Sequence, residues 1–467
     1  MVETSQTHRA ELEHVPSAAD FADAISDAPA SAGLLSESEV ESLLRGHAAM
    51  ETVSKEQSQS DVSLLFRTLQ SAYGAYEYFG QEKFDAAEDA VTQWLSSQDD
   101  EIKVSALGEK LQESLAFMLA HDAHAMIYEP AAEEIEAQVR YEYFFADGFF
   151  FSKDVNGSYY MVNDGERWTL SSFSDEHVSV QPTLLQDGRI VYQPTLFALR
   201  KDAVQSSVTL KNSSGKAKIY RLDWTESQPL DVDLGTLDYR LIQEDGLTYV
   251  SLRSLVSGTY DNMLARYARE GAKARGSKAV IYDLRGNVGG SDSWPRKWIQ
   301  SFLGTQNSIE TSMLYAQKNS ALFAAENSES LLPEDEGTCF AREVHGTWYE
   351  NDIPIIVLVD DHCGSSGEGA VQLLKTLDNV LVVGSNTAGY QLCGNISTFT
   401  LPYTGIGVRF GSTLFLYGDG ENVDHRGYVP DVWCDPQDAL ASVLALLKEQ
   451  GVVSADACET VREKIVK

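Results

Sequence analysis

The residues best arranged for chemistry lie in the stretch Ile353–Gly389. An apolar run rich in β-branched residues, Ile353 to Val359, has the pattern of a strand buried on both faces. It breaks at Asp360–Asp361 and turns through Cys363-Gly364-Ser365-Ser366-Gly367. Beyond the turn, Ala370, Leu373, Leu374 and Leu377 repeat at helical spacing. A turn of this kind sets a side chain at the carboxyl end of a sheet and aims free helix N–H groups at whatever binds there. Ser365 is therefore a candidate nucleophile, which needs a base for its proton and donors for an oxyanion. Taken alone, the same serine reads as a helix N-cap. Cys363 is a poorer nucleophile, because it precedes the glycine of the turn.

A second turn, Asp283-Leu284-Arg285-Gly286-Asn287-Val288-Gly289-Gly290, directly follows the apolar strand-like run ending at Tyr282. Its glycines let backbone approach a ligand and leave N–H groups free to point at it. The phosphate-loop pattern is absent, and beside a serine turn an oxyanion hole explains the glycines better than a plain turn does. Arg285 reads as a residue that ties down its own turn or pairs with acidic neighbours.

These turns need a scaffold, and the chain supplies three kinds of pattern. Residues 1–33 are acidic and poor in large apolar side chains, and read as a disordered or loosely helical leader. Residues 34–130 carry apolar residues at helical spacing, opening on a Ser/Glu capping pattern and closing on one long helix that runs into His121 and His124. Residues 131–235 form a β-rich module, with hairpins expected around Asp147-Gly148, Asn156-Gly157 and Ser213-Ser214-Gly215. From 236 to 467 strands alternate with helices, which implies a mainly parallel, helix-covered sheet. Within it, Thr305 to Tyr349 is weakly patterned and reads as loop with short elements. The fold class is thus an α/β core with an N-terminal helical region and a β-rich middle module.

Composition narrows the partners. The 467 residues include 70 acidic and 36 basic side chains, a formal net charge of −34. Such a surface repels nucleic acid and anionic membrane, so neither is expected as a partner. Cys339, Cys363, Cys393, Cys434 and Cys458 are odd in number and widely spaced, with no metal-ligand spacing, so neither a disulfide framework nor a structural metal is expected. The first residues show no export signal and no apolar run reaches membrane-spanning length. As written, a cytoplasmic protein is expected, or an extracytoplasmic one if an export signal has been trimmed.

Four segments together resemble the serine peptidases that include tricorn protease and the C-terminal processing (tail-specific) peptidases. They are Tyr282–Gly290, Val357–Glu368, Val382–Gly389 and Val423–Val432, in the family's order and spacing, with a fainter match at His121–Ile127. The resemblance implies a ClpP/crotonase-like core, a peptide or protein substrate, and no metal or organic cofactor. Carried over by position, it implies Ser365 as nucleophile, three residues before Glu368. The oxyanion hole would be the Ser366 N–H with Gly289 or Gly290. Processing peptidases use a lysine where this chain has Tyr390, which argues against a Ser/Lys dyad. The tricorn-like branch takes its base from the N-terminal helices, and His124 is the match, with Asp424 completing the set. The serine that precedes the histidine in that branch is Ala123 here. His121 remains the rival base, Asp424 reads equally well as a loop-fixing carboxylate, and His362 and His425 read as solvated loop residues. The β-rich module stands where processing peptidases often carry a PDZ-like domain, but shows no clear carboxylate-binding loop. The competing functions are a binding protein without turnover and an acyl-ester hydrolase.

Overall fold

The strand Ile355–Val359 lies near the middle of the main sheet, and all five of its residues are buried. Its side chains alternate between two apolar layers, as the period of two in a strand requires. Ile355, Val357 and Val359 face a core shared with the helices Asp261–Glu270, Ser293–Leu303 and Ser366–Leu374. Ile356 and Leu358 face another, closed by the helices Ala439–Glu449 and Ala455–Val466. Helices on both faces explain why this strand reads as a continuous apolar run. The computed structural model describes residues 1–25, 35–128, 141–199, 206–258, 260–329, 331–332, 335–418 and 420–466.

Four parallel neighbours build one half of this sheet: Leu247–Ser251, Ala279–Asp283, Ile355–Val359 and Val380–Gly384. The short strand Val432–Trp433 continues it, and Trp433 pairs in parallel with Thr183 of the middle module. The sheet thereby runs through ten strands, four of them from the β-rich region. That region is therefore joined to the core by backbone pairing across the expected boundary near residue 235. Its remaining five-stranded sheet closes a separate small core around Trp168, Phe151 and Val208.

The hairpins expected at Asn156-Gly157 and Ser213-Ser214-Gly215 are present, joining Lys153 to Tyr159 and Lys211 to Ala217. Asp147-Gly148 does not close a hairpin. The strand before it, Tyr141–Ala146, pairs instead with Ile190–Leu199 and Trp224–Glu226. Turn chemistry marked the reversal there, but aromatic packing between distant strands chose the partner.

Two further expectations are narrowed by what is found, and one is overturned. The leader is not disordered over its first part: Val2–Glu13 is a helix, with Ser5 and His8 buried. Ser5 Oγ accepts from Asn379 N–H at 2.9 Å, and His8 Nε2 meets Asp431 Oδ1 at 2.9 Å. Polar contacts to the core hold this helix, so it carries no apolar stripe to read; its continuation at 26–33 lies outside the described residues, as does the expected boundary near 130. The stretch Thr305–Tyr349 contains the strands Met313–Lys318 and Cys339–Val344, which pair with each other. The long helix expected to reach His124 stops at Ser114, is followed by a short turn of helix, Ala116–Leu119, and gives way to the strand Met126–Tyr128.

That last strand positions the site. It pairs with Gly407–Arg409 at the edge of a second, mainly antiparallel sheet. The N-terminal helices Lys55–Ala72, Gln81–Ser97 and Val104–Ser114 pack on the same sheet through one large core. The His121–His124 turn is thereby delivered beside the serine turn.

At the end of Ala279–Asp283, the fully buried Asp283 carboxylate pairs with two guanidinium groups. Arg253 Nη1 lies 3.1 Å and Arg285 Nη2 2.6 Å away, and Arg285 also donates to the Pro436 carbonyl. Desolvation opposes ionisation of Asp283, but the two guanidinium groups outweigh it and hold the carboxyl far below its usual range. Replacing Asp283 by alanine leaves two buried cations unpaired, so Asp283→Ala should cost about 3–5 kcal/mol in urea unfolding. A loss below about 1 kcal/mol would show that this triad does not hold the glycine turn.

Candidate active site

Ser365 stands between the central strand and the helix Ser366–Leu374 with φ +53° and ψ −124°. L-residues rarely adopt such a backbone, which costs about 1–3 kcal/mol and persists only where surrounding contacts enforce it. Those contacts come from three loops. Glu368 Oε2 accepts from Ser365 N–H at 3.0 Å, and the Ser365 carbonyl accepts from Gln391 Nε2 at 2.9 Å. Gly364 N–H donates to the Asn287 carbonyl at 2.9 Å. The same Glu368 carboxyl accepts from Thr387 Oγ1, Gly389 N–H and Tyr390 N–H at 2.5, 2.9 and 2.8 Å.

The glycine turn packs directly on this serine turn. A Cβ on Gly289 would lie 2.8 Å from Ser365 Cβ and 2.9 Å from Ser366 N, at a backbone φ of +97°. Glycine is required there for space and for conformation. The two candidate donor glycines are not equivalent. Gly289 N–H donates to Asn287 Oδ1 at 2.9 Å. Gly290 is bridged in parallel to Leu255, whose bonds run to Gly289 and Ser291. In such a ladder the bridged residue turns its own N–H and C=O to the other side. Its carbonyl accepts from Ser366 Oγ at 3.0 Å, so that side faces the serine turn. Neither Gly290 N–H nor Ser366 N–H has a partner among the described residues.

His124 is 3% exposed. Its amide donates to Asp122 Oδ1 at 2.9 Å, and its ring meets that of Tyr390 edge-on at 5.2 Å. Its Nδ1 has no partner among the described residues. Burial, and secondarily Arg409, pushes the imidazole pKa down to about 3. Among the described residues no hydrogen bond joins it to Ser365. Tyr390 lines the cleft over Ser365 while packing on the imidazole. His121 is exposed and its ring is hydrogen-bonded to the Phe117 carbonyl at 2.9 Å.

Asp424 holds backbone. Oδ2 accepts from Ala123 N–H at 2.9 Å, and Oδ1 from Gln391 and Leu392 N–H at 2.7 and 2.8 Å. It thus clamps the residue before His124 to the segment after Tyr390. Its neighbour Asn422 donates to the His121 carbonyl at 2.6 Å. Asp122, with its second oxygen on Tyr73 Oη at 2.8 Å, grips the same turn from the helical side. Burial, reinforced by Asp122, raises the Asp424 pKa well above its usual value.

Sequence reasoning did not assign roles to Asp122, Tyr73, Asn287, Gln391 or Glu368. Glu368 was visible as the acidic position after Ser365, and Asp122 as the first residue of the Asp-x-His segment. Nothing in the spacing marks Tyr73 or Gln391. Arg285 does tie down its own turn, and Cys363 is fully buried with its thiol pushed up by burial. His362 and His425 are half-buried, not solvated. All five cysteines are free and buried. Among the described residues no group of His, Cys, Asp or Glu is placed to hold a metal ion, and no helix is long and apolar enough to cross a membrane.

The cleft over Ser365 has a volume of about 790 Å³ and is lined by both turns and by the segment Tyr390–Ile396 without Leu392. A strained serine at a helix N-terminus, with free amide donors facing it, suits nucleophilic attack on an acyl carbon.

The burial of His124 has a measurable consequence. The folded protein holds the ring neutral down to about pH 3, so the unfolded chain takes up that proton first, near 6.5. Stability linked to His124 is complete above about pH 6.5 and is lost as pH falls toward 3, at up to about 1.4 kcal/mol per pH unit. In urea unfolding between about pH 7 and 4, the wild type should lose stability relative to His124→Gln. Parallel pH curves would mean that the ring ionises in the folded protein as it does in water.

Both turns lie within a segment that matches a known family. Residues 246–433 match the model of Peptidase family S41. Among curated proteins, none matches the chain. Solved structures with a similar backbone include mature CPAF, at 13% identity and a TM-score of 0.47, covering 85% of this chain and 98% of that one. The photosystem II D1 C-terminal processing protease has 14% identity and a TM-score of 0.41, covering 83% and 97%. Tricorn protease has 15% identity and a TM-score of 0.38, covering 88% of this chain and 37% of its own. The chain carries a Peptidase family S41 domain and is a serine-type peptidase.

Proposed function

We propose that the protein hydrolyses peptide bonds by acyl transfer at Ser365, on a core of the ClpP/crotonase-like arrangement. The observation that carries this reading is the packing of the glycine turn on the serine turn, where Gly290 N–H and Ser366 N–H have no partner among the described residues and are available to serve as amide donors. Ser365 Oγ attacks the carbonyl carbon, and these amides hold the oxygen that becomes negative. Each such donor is worth about 2.7–4 kcal/mol in the transition state. Gly289, its own N–H held by Asn287, shapes the turn.

His124 takes the serine proton and returns it to the leaving amine; water then releases the acyl group with His124 as base again. Its burial keeps it neutral but also makes it a weak proton acceptor, so in this reading substrate binding has to restore its basicity before the transfer. Because Tyr390 packs against the imidazole, the transfer runs through a bridging water or follows displacement of the Tyr390 ring. Asp424 serves by fixing the backbone around His124, its hydrogen bonds all going to amides. The scheme requires no cofactor.

The unformed contact between Ser365 and His124 is what favours the second reading, a peptide-binding protein without turnover. A fluorophosphonate probe separates them. The wild type should be labelled and Ser365→Ala should not; a folded wild type that resists the probe supports binding alone. Parallel assays with matched ester and amide substrates test the acyl-ester alternative. For the base, His124→Ala should lower kcat by about 100-fold or more with KM little changed. His121→Ala should stay near wild type, since that ring points to solvent. Equal loss in both variants would remove His124 from the mechanism.

A further inference from the structure

The walls of the cleft carry more information than the attack on a carbonyl uses. Phe323, Tyr390, Phe415 and Tyr417 contribute aromatic surface, and Asp292 and Glu326 contribute carboxyl groups. No lysine, arginine or histidine lines the cleft among the described residues.

Asp292 sits two residues after Gly290 and immediately before the helix Ser293–Leu303. It is half-buried, and its carboxyl group lies against the first turn of the nucleophile helix. A Cβ on Gly369 would come within 2.7 Å of Asp292 Oδ1, so glycine at 369 makes room for that carboxyl. No cation is paired with it among the described residues. Arg296, which favours the charged form of Asp292 electrostatically, is itself engaged by the Ile309 carbonyl and Glu310. Burial raises the Asp292 pKa above its usual value. A half-buried carboxylate beside a nucleophile, without a counter-ion of its own, is stabilised by any cation that enters the cleft. Glu326 accepts from Ser397 Oγ and likewise has no cationic partner among the described residues.

Lysine and arginine side chains match these walls. Their methylene stems cover aromatic surface while the cationic head reaches a carboxylate, and the head gains further from aromatic faces. A glutamate or a free C-terminal carboxylate would be repelled. We propose that Asp292, together with Glu326, makes the cleft selective for peptides with a lysine or arginine side chain close to the scissile bond. The inference rests on the peptidase reading of Ser365.

Three peptides that differ at one position, lysine, norleucine or glutamate, test it, since norleucine keeps the lysine stem without its charge. The wild type should turn over the lysine peptide with kcat/KM about tenfold or more above the norleucine peptide, and the glutamate peptide most slowly. In Asp292→Asn the lysine-to-norleucine ratio should fall toward one, with fluorophosphonate labelling confirming that the variant is folded. Glu326→Gln, at an exposed position, should lower the ratio in part and carries the test if Asp292→Asn does not fold. Binding of the same peptides to Ser365→Ala, read by fluorescence anisotropy, should follow the same order. Equal kcat/KM for lysine and norleucine in a labelled wild type overturns the inference. So does a preference that survives both carboxyl substitutions and disappears in high salt, which would trace it to the overall net charge. If Ser365→Ala binds the lysine peptide selectively while the wild type neither reacts with the probe nor cleaves, the cationic subsite stands and the peptidase reading fails.

Discussion

One buried carboxyl group, that of Glu368, holds the working geometry together. It accepts from the amide of Ser365 on one side and from Thr387, Gly389 and Tyr390 on the other. The serine is thereby kept in a backbone conformation it would not choose, and the loop carrying Tyr390 is bound to it. Burial alone would make such a group costly, and four donors offset that cost. Ser365 and Glu368 are one helical turn apart, so the sequence spacing that marks the serine also guarantees its clamp.

The same device recurs throughout the interior. Asp360 accepts from the amides of Gly286 and Leu230, Asp424 from those of Ala123, Gln391 and Leu392, and Asp61 from Tyr403 and Thr404. Each joins segments far apart in the chain by charge-assisted bonds to backbone. The strongly acidic composition is therefore not only a surface property. Around His124 these clamps fix the turn while leaving the imidazole itself without a carboxylate partner, which differs from an arrangement in which the acid orients the ring directly.

Legibility followed the source of each element's stability. The central strand and its helix were readable because neighbouring residues bury them, and their apolar pattern records it. The helix at Val2–Glu13 was legible only as the loosely helical alternative, because Ser5 and His8 dock it through polar contacts to Asn379 and Asp431. Met313–Lys318 and Cys339–Val344 were legible only as unspecified short elements, because strand pairing across about twenty residues leaves little periodic trace. The break at Leu115 was hidden inside a sequence with strong helical spacing, where pairing of Met126–Tyr128 with Gly407–Arg409 overrode local preference.

By itself the sequence determined that a serine sits at a strand-to-helix turn and that a glycine turn from another strand could serve it. These are properties of residue type and short spacing, which the chain carries openly. Tertiary structure alone decided that Gly290 turns toward the serine turn, because pairing with the distant Leu255 orients it there. It also decided that His124 rather than His121 is turned inward, and that Tyr390 covers it. Those outcomes depend on which groups meet across two sheets, and hydrogen bonds between distant segments leave no periodic pattern in the chain.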